Sequence, residues 1–378
     1  MIYKDFQGMK LSALGFGAMR LPTVNGRQEE IDQAQLDAMV DHAMAKGVNY
    51  YDTAWGYHNG ASEGAIGKSL SRYPRESWYI ADKFPGYDTA NFPHLKEIFE
   101  KQLERLGVGC FDFYLFHNVC EKNIEQYLDP QYGVYDYLME QKRNGRIKHL
   151  GFSVHGNIDT MKRFMDAYGK DMEFCQIQLN WLDYAFQSAN AKLELLKEWN
   201  IPVWVMEPLR GGSLLSLAEE HKAKLLALQP DWQLPDWGFR FLQSFPAVTV
   251  TLSGMSDLAQ MQENIAIFEA EHPLTEEEMT ALQDIAADMT AKKTLPCTKC
   301  RYCTAHCPRE LDIPWLLELY NEHVYSGGGF LAPMAMDALP EDKKPSACLG
   351  CRACEAVCPQ SILISEAMTD FTALLEKA

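Results

Sequence analysis

Eight short apolar runs, separated by longer stretches that are in several places amphipathic, dominate the first 290 residues of the chain. They fall at 14–19, 50–54, 78–84, 113–116, 149–154, 175–179, 203–206 and 248–252, and are rich in β-branched and aromatic residues. Their length and composition predict strands. Between them the apolar spacing becomes helical over 32–46, 92–106, 134–144, 159–168, 189–199 and 257–268. Gly47 and Gly107 end the first two of these helices, as a residue tolerant of the left-handed conformation does. Strands alternating with helices imply a parallel sheet covered by helices. Eight such units over this length predict a closed (β/α)8 barrel, the TIM-barrel architecture.

The rival is an open doubly wound sheet, which should carry G-x-G-x-x-G after its first strand. Gly15-Phe16-Gly17-Ala18-Met19-Arg20 begins that pattern but has Arg20 at the third glycine's place. Pro22 and Asn25-Gly26 then follow where a helix should start. The barrel is therefore the expectation. A helix capped by Thr275, with Glu276 to Glu278 in its first turn, closes this domain, because hydroxyl caps and acidic first turns suit helix N-termini. The boundaries predicted are 1–290 for the barrel and 291–378 for a second, smaller and mainly helical domain.

That second domain is marked by cysteine. Of 11 cysteines, Cys110, Cys120 and Cys175 are scattered and the others cluster. They form two runs of one spacing, Cys297-x2-Cys300-x2-Cys303-x3-Cys307-Pro308 and Cys348-x2-Cys351-x2-Cys354-x3-Cys358-Pro359. Thiolates are soft ligands suited to iron–sulfur clusters, and this is the bacterial ferredoxin spacing, whose fourth cysteine serves the other cluster. Two [4Fe–4S] clusters are expected, one on Cys297, Cys300, Cys303 and Cys358, the other on Cys348, Cys351, Cys354 and Cys307. Zinc asks for four ligands in two pairs and no three-plus-one spacing with proline. Disulfides do not suit a reducing compartment.

A net charge of −17 sets aside nucleic acid and anionic membranes as partners. No apolar run reaches 18 residues, the length a membrane span needs. Met1 leads into Tyr3, Lys4 and Asp5 rather than an apolar signal segment, and a cytoplasmic location is expected.

Barrel enzymes place catalytic groups at the C-terminal ends of their strands. Here the second strand ends in Tyr51-Asp52-Thr53-Ala54-Trp55-Gly56-Tyr57, the third in Lys83 and the fourth in His117. Jointly they suit one task. An aqueous tyrosine titrates near 10, and a neighbouring ammonium lowers that value. A carboxylate keeps the lysine charged and oriented, and a histidine holds the substrate oxygen. The product is a tuned general acid. Singly, each has a plainer reading: Tyr57 as packing, His117 as a hydrogen-bonded rim residue, Asp52 as a helix cap. Trp55, Trp181 and Trp204 are pocket or core candidates, and His58 and His155 pocket or rim candidates.

The first 290 residues resemble the aldo/keto reductases. Leu14 to Arg20 is similar to that family's opening strand, and Asp52-Thr53-Ala54 with Tyr57 and Ser62-Glu63 to its best-known signature. The resemblance implies a catalytic tetrad of Asp52, Tyr57, Lys83 and His117, with Tyr57 the acid. It implies hydride transfer between a nicotinamide cofactor, across the top of the barrel, and a carbonyl or alcohol substrate. It also implies cofactor contacts. These are Gly17, Ala18 and Met19 on the opening strand, Ser153 and Gln176 at the nicotinamide amide, and Met206, Leu209 and Gly211 after the seventh strand. Ser253, Gly254, Met255, Ser256, Gln260, Glu263 and Asn264 hold the adenosine end, Ser256 as a phosphate contact near a helix N-terminus. NADP is the expected nucleotide on family grounds and NAD the alternative, because Gly254 and Gln260 offer no cation for a 2′-phosphate. The tail resembles the ferredoxin family, with a long segment 308–347 that is similar to α-helical ferredoxin modules.

A hydride carries two electrons and a cluster moves one at a time, so a flavin or a radical-tolerant substrate normally stands between them. No motif places a flavin here. The expectation is an NAD(P)-dependent oxidoreductase whose tail docks an external electron carrier, a flavoprotein or ferredoxin. The alternatives are purely structural clusters, or a redox sensor or electron-transfer protein whose barrel binds cofactor without reducing carbonyls.

Overall fold

The computed structural model describes residues 1–291, 294–297, 303–358 and 360–377. Cys300 and Pro359, both named above, lie outside the described residues. The chain forms two compact units, Met1–Leu282 and Gln283–Ala378.

The first unit opens with a hairpin that the sequence reading does not contain, β1 (Tyr3–Phe6) paired antiparallel with β2 (Met9–Ser12). Its turn residues Gln7 and Gly8 both have positive φ, 47° and 85°, as the tight turns that match strand twist require. The eight strands of the barrel follow: β3 (Leu14–Gly17), β4 (Tyr50–Asp52), β5 (Tyr79–Phe84), β6 (Phe111–Val119), β7 (Ile147–Val154), β8 (Cys175–Gln178), β9 (Val203–Met206) and β10 (Val248–Ser253). All pair in parallel, each with its sequence neighbour, and β10 closes on β3. The structure is thus the (β/α)8 barrel expected.

Phe6 of the hairpin packs on Phe113, Phe174 and Trp204, which sit in the first half of β6, just before β8 and near the start of β9. The hairpin therefore stops the N-terminal mouth with an apolar plug that also contains Leu11, Tyr50 and Val250. Trp204, fully buried in that plug, is core and not a substrate contact. Gly15 belongs to the barrel's interior. A Cβ there would lie 2.7 Å from Leu252 and 2.8 Å from Val250, so the glycine admits close packing of β3 on β10 and is no part of a phosphate-binding turn.

The helices expected at 32–46, 92–106, 134–144, 159–168, 189–199 and 257–268 are present as Gln33–Ala45, Leu95–Leu106, Val134–Arg143, Ile158–Tyr168, Ala189–Glu198 and Leu258–Ile267. Ser62–Leu70 and Leu234–Gln243 are added. At the start of Glu276–Ala291, Thr275 N–H donates to Glu278 and Glu278 N–H to the Thr275 hydroxyl, a reciprocal cap.

The second unit is helical where its cysteines leave room. Ile313–Ser326, Leu331–Asp337 and Ile364–Leu375 enclose a core of Ile313, Leu316, Leu317, Met336, Met368 and Phe371. Gly327, at φ 71°, ends the first of them. Among the described residues no helix is long and apolar enough to cross a membrane.

Candidate functional site

At the C-terminal end of the barrel the four residues of the expected tetrad come near one another. Lys83, inward-facing on β5, donates from Nζ to Asp52 Oδ1 on β4 at 2.6 Å and to Thr53 O at 2.6 Å. The two charged side chains are 1% and 3% exposed, so this is a buried ion pair. Tyr57 follows β4 in a tight turn whose next residues, His58 and Asn59, are left-handed at φ 54° and 53°. That turn brings the Tyr57 ring to 5.2 Å from Lys83 Nζ and 6.2 Å, edge on, from the His117 ring. His117 lies where the β6–β7 register shifts, between Phe116 and Val119, and Asn118 beside it has φ 57°. Such a bulge re-aims side chains at a strand end.

Burial governs the charges. It pushes the Asp52 carboxyl up, against the pull of Lys83. On Lys83 burial opposes the ammonium, yet Asp52 and Tyr57 beside it outweigh burial and hold its pKa above the usual value. The Tyr57 hydroxyl is raised by burial, with Lys83 only partly offsetting the rise. The expectation of a net lowering by the ammonium is therefore reversed: the sign of the Lys83 effect is as expected, and the dry surroundings are stronger. His117 is held well below 6.5 by burial, then by Lys83 and His155, and is neutral. Asp52 Oδ2 and His117 Nδ1 are buried with no hydrogen-bond partner among the described residues.

A cavity of about 300 Å³ opens over Asp52 and Tyr57. Of the expected cofactor contacts, Gly17, Met19, Gln176, Met206, Leu209 and Gly211 line it, as do Ser253, Gly254, Ser256, Gln260, Glu263 and Asn264. Three do not. Ala18 is buried with its carbonyl bonded to Ser62, and Met255 is buried. The Ser153 hydroxyl accepts the Asn118 N–H at 2.8 Å, though it stands in register with Gln176.

Other residues enter that the sequence reading missed. Tyr87 sets its ring 5.2 Å from His117. Arg20 and Glu207 both line the cavity and face each other at 3.9 Å. Glu207 has φ 55°, a conformation a non-glycine residue adopts at a cost, and its carbonyl is held by Asn180 at 3.0 Å. Of the earlier pocket candidates, His58 is instead a buried tie, accepting the Leu21 N–H at 2.9 Å.

In the second unit Cys307, Cys348, Cys351 and Cys354 line one small cavity together with Leu311, Ile364 and Met368. These are the four thiols assigned above to one cluster, three from one run and one from the other. Cys303 belongs to the unit's core, and Cys297 and Cys358 pack against it.

A closed parallel barrel with a charged, buried strand-end site, joined to a thiol-rich helical unit, defines a TIM-barrel enzyme with a metal-binding tail. The chain belongs to the aldo/keto reductase family, whose model matches residues 13–287, and it is an oxidoreductase of that type. Residues 296–363 match a 4Fe-4S dicluster domain. A probable aldo-keto reductase 1 from Glycine max is 27% identical over 215 residues, 54% of this chain, and the match spans only 58% of that relative. An NADH-specific methylglyoxal reductase from Escherichia coli K12 is 23% identical over 322 residues, covering 73% of this chain and 95% of that protein. The holo form of the aldo-keto reductase AKR11C1 from Bacillus halodurans superposes with a TM-score of 0.62 at 24% identity, covering 75% of this chain and 96% of that one.

Proposed function

We propose that the barrel, 1–290, moves a hydride between a nicotinamide dinucleotide and a small carbonyl or alcohol, and that the tail, 291–378, holds two [4Fe–4S] clusters that exchange electrons with an external flavoprotein or ferredoxin-type carrier. The observation that carries the reading is the buried Lys83–Asp52 pair at 2.6 Å, with Lys83 Nζ 5.2 Å from the ring of Tyr57, and Asp52 and Tyr57 on the cavity wall. When bound, the nicotinamide supplies the electron pair and the clusters pass single electrons.

The chain's own residues supply the rest. Tyr57, kept protonated by burial, gives its proton to the substrate oxygen. Lys83 stabilises the tyrosinate left behind, and Asp52 fixes the ammonium in place. Neutral His117 donates a hydrogen bond to the same oxygen. Its Nδ1 and Asp52 Oδ2 are buried polar atoms without partners, which suits a site completed by its ligands. Gln176, on the wall beside Ser153, has an amide to match that of a nicotinamide, and Met206 offers an adaptable apolar contact for its ring. A relative named as a methylglyoxal reductase specific for NADH supports both cofactor class and small carbonyl. For the tail, four thiols around one cavity fit the soft-ligand requirement of an iron–sulfur cluster.

The test is anaerobic assay of the purified protein with NADH, NADPH and a carbonyl panel, with iron and sulfide counts, flavin extraction and electron paramagnetic resonance after nicotinamide addition. Tyr57→Phe should lose about a thousandfold in kcat. Absence of both turnover and nucleotide binding overturns the reading.

A further inference from the structure

We propose that the nucleotide end of the barrel cavity selects a dinucleotide whose adenosine ribose keeps a free 2′-hydroxyl, that is NAD(H), and turns away the 2′-phosphorylated form. The inference rests on the reading of the cavity as a nicotinamide dinucleotide site and adds which dinucleotide it takes.

A ribose 2′-phosphate is a compact dianion. It is held by a guanidinium or ammonium, or by unsatisfied N–H groups at a helix N-terminus. The segment between β10 and the helix Leu258–Ile267 has no guanidinium or ammonium, and two of its N–H groups are already taken. Gly254 has no side chain, and the side chain of Met255 is apolar and buried at 1% exposure. The N–H of Ser256, the residue expected above as a phosphate contact, is already taken by Gln260 Oε1 at 2.9 Å. The N–H of Gln260 is taken by Asp257 Oδ1 at 2.8 Å. Asp257 is the helix N-cap, so the positive end of the helix already carries a carboxylate that repels a second anion.

The walls repeat the pattern. Among the described residues lining the cavity, Arg20 is the one lysine or arginine, against the carboxylates of Asp52, Glu207 and Glu263. Arg20 crosses Gly254 with its aliphatic stem, whose carbons lie 3.2 Å from where a Cβ would stand. Its guanidinium points on toward Gly211 and Glu207, 3.0 Å from the Gly211 Cβ position and 3.9 Å from Glu207 Oε1. The stem passes Gly254 and the charge is delivered to the Gly211 and Glu207 side of the cavity. A hydroxyl, by contrast, is a donor, and an acidic wall accepts from it.

Isothermal titration of the anaerobically purified holoprotein decides this. NADH should bind at least about tenfold more tightly than NADPH, and ADP-ribose should show the same margin over its 2′-phosphate, which removes the nicotinamide from the comparison. Gln260→Arg frees the Ser256 N–H and adds a guanidinium, and should move the NADPH-to-NADH affinity ratio at least about tenfold toward NADPH. Asp257→Ser keeps a cap and removes a charge, and should move the ratio about threefold. NADPH binding as tightly as NADH, or a ratio unmoved in folded Gln260→Arg protein, overturns this inference and leaves the dinucleotide site standing. Binding of neither nucleotide overturns the dinucleotide site and this inference with it.

Discussion

Replacing Lys83 by methionine tests the geometry on which the site depends. The ammonium and the Asp52 carboxylate are 1% and 3% exposed and 2.6 Å apart, and Thr53 O accepts a second bond at 2.6 Å. Methionine retains most of the stem's volume and removes the charge. Asp52 is then left with no donor to either oxygen, since Oδ2 already lacks one. Breaking a buried pair from one side costs about 3–5 kcal/mol. Asp52 escapes part of that cost by taking up a proton, which burial already favours, so the loss at pH 7 should sit near 3 kcal/mol and shrink as pH falls. Adding Asp52→Asn removes the stranded charge and should return about 2 kcal/mol. Hydrogen exchange on peptides covering β4 and β5 reads the opening free energy of the barrel separately from the tail. A Lys83→Met barrel within about 1 kcal/mol of wild type, or a double variant no more stable than the single, refutes the buried-pair reasoning. Turnover should be lost in both variants, so stability that returns without activity separates the structural from the catalytic part of Lys83.

Three further outcomes are expected. Asp82 Oδ2 and Glu63 Oε1 are both buried with no hydrogen-bond partner among the described residues, and burial, then Glu63, push the Asp82 carboxyl well up, so Asp82 holds its proton. A raised folded pKa means stability that is complete below the unfolded value and lost as pH rises through the folded one. Asp82→Asn builds the donor in permanently, and its Tm should match wild type below about pH 4 and exceed it increasingly at neutral and alkaline pH; a Tm no higher than wild type at pH 8 counts against a protonated Asp82. Glu173 runs the other way. Burial opposes its charge, yet His149, Lys142 and the Leu150 N–H hold its pKa down to about 2, from 4.5. Its stabilisation is present above pH 4.5 and lost as pH falls toward 2. Glu173→Gln should cost on the order of 2 kcal/mol at pH 7 and little at pH 2 in urea unfolding; a pH-independent cost speaks against the ion cluster. Cys307→Ala should remove about half of the iron bound by the holoprotein, because its thiol stands with Cys348, Cys351 and Cys354, whereas Cys120→Ala should remove none.

What the sequence discloses here is what is written at short range. The strand and helix periods give the barrel because each element's pattern is local, and Thr275 with Glu278 marks a helix start within four residues. That Asp52, Lys83 and His117 come together is legible because a parallel barrel gathers the ends of successive strands, and these residues stand at or near those ends. Features made by long-range approach are not legible. Tyr3 to Ser12 reads as neither period strongly, and only the apolar plug of Phe6 against Trp204 fixes it as a hairpin. Gly15 imitates the start of a phosphate loop while serving the packing of β3 on β10. Arg20, which the sequence shows only as a residue out of place in a glycine pattern, becomes the cavity's cation by lying over Gly254 from the other side of the β10–β3 seam. The net charge state of Tyr57 is equally a property of the whole site. A lysine at the end of the next strand predicts a lowered pKa, but the burial of Tyr57 outweighs it, and burial depends on residues far apart in the sequence. On the reading proposed above, an acid that must hold its proton until the substrate oxygen develops charge is better served by that burial, with Lys83 stabilising the anion once the proton has gone.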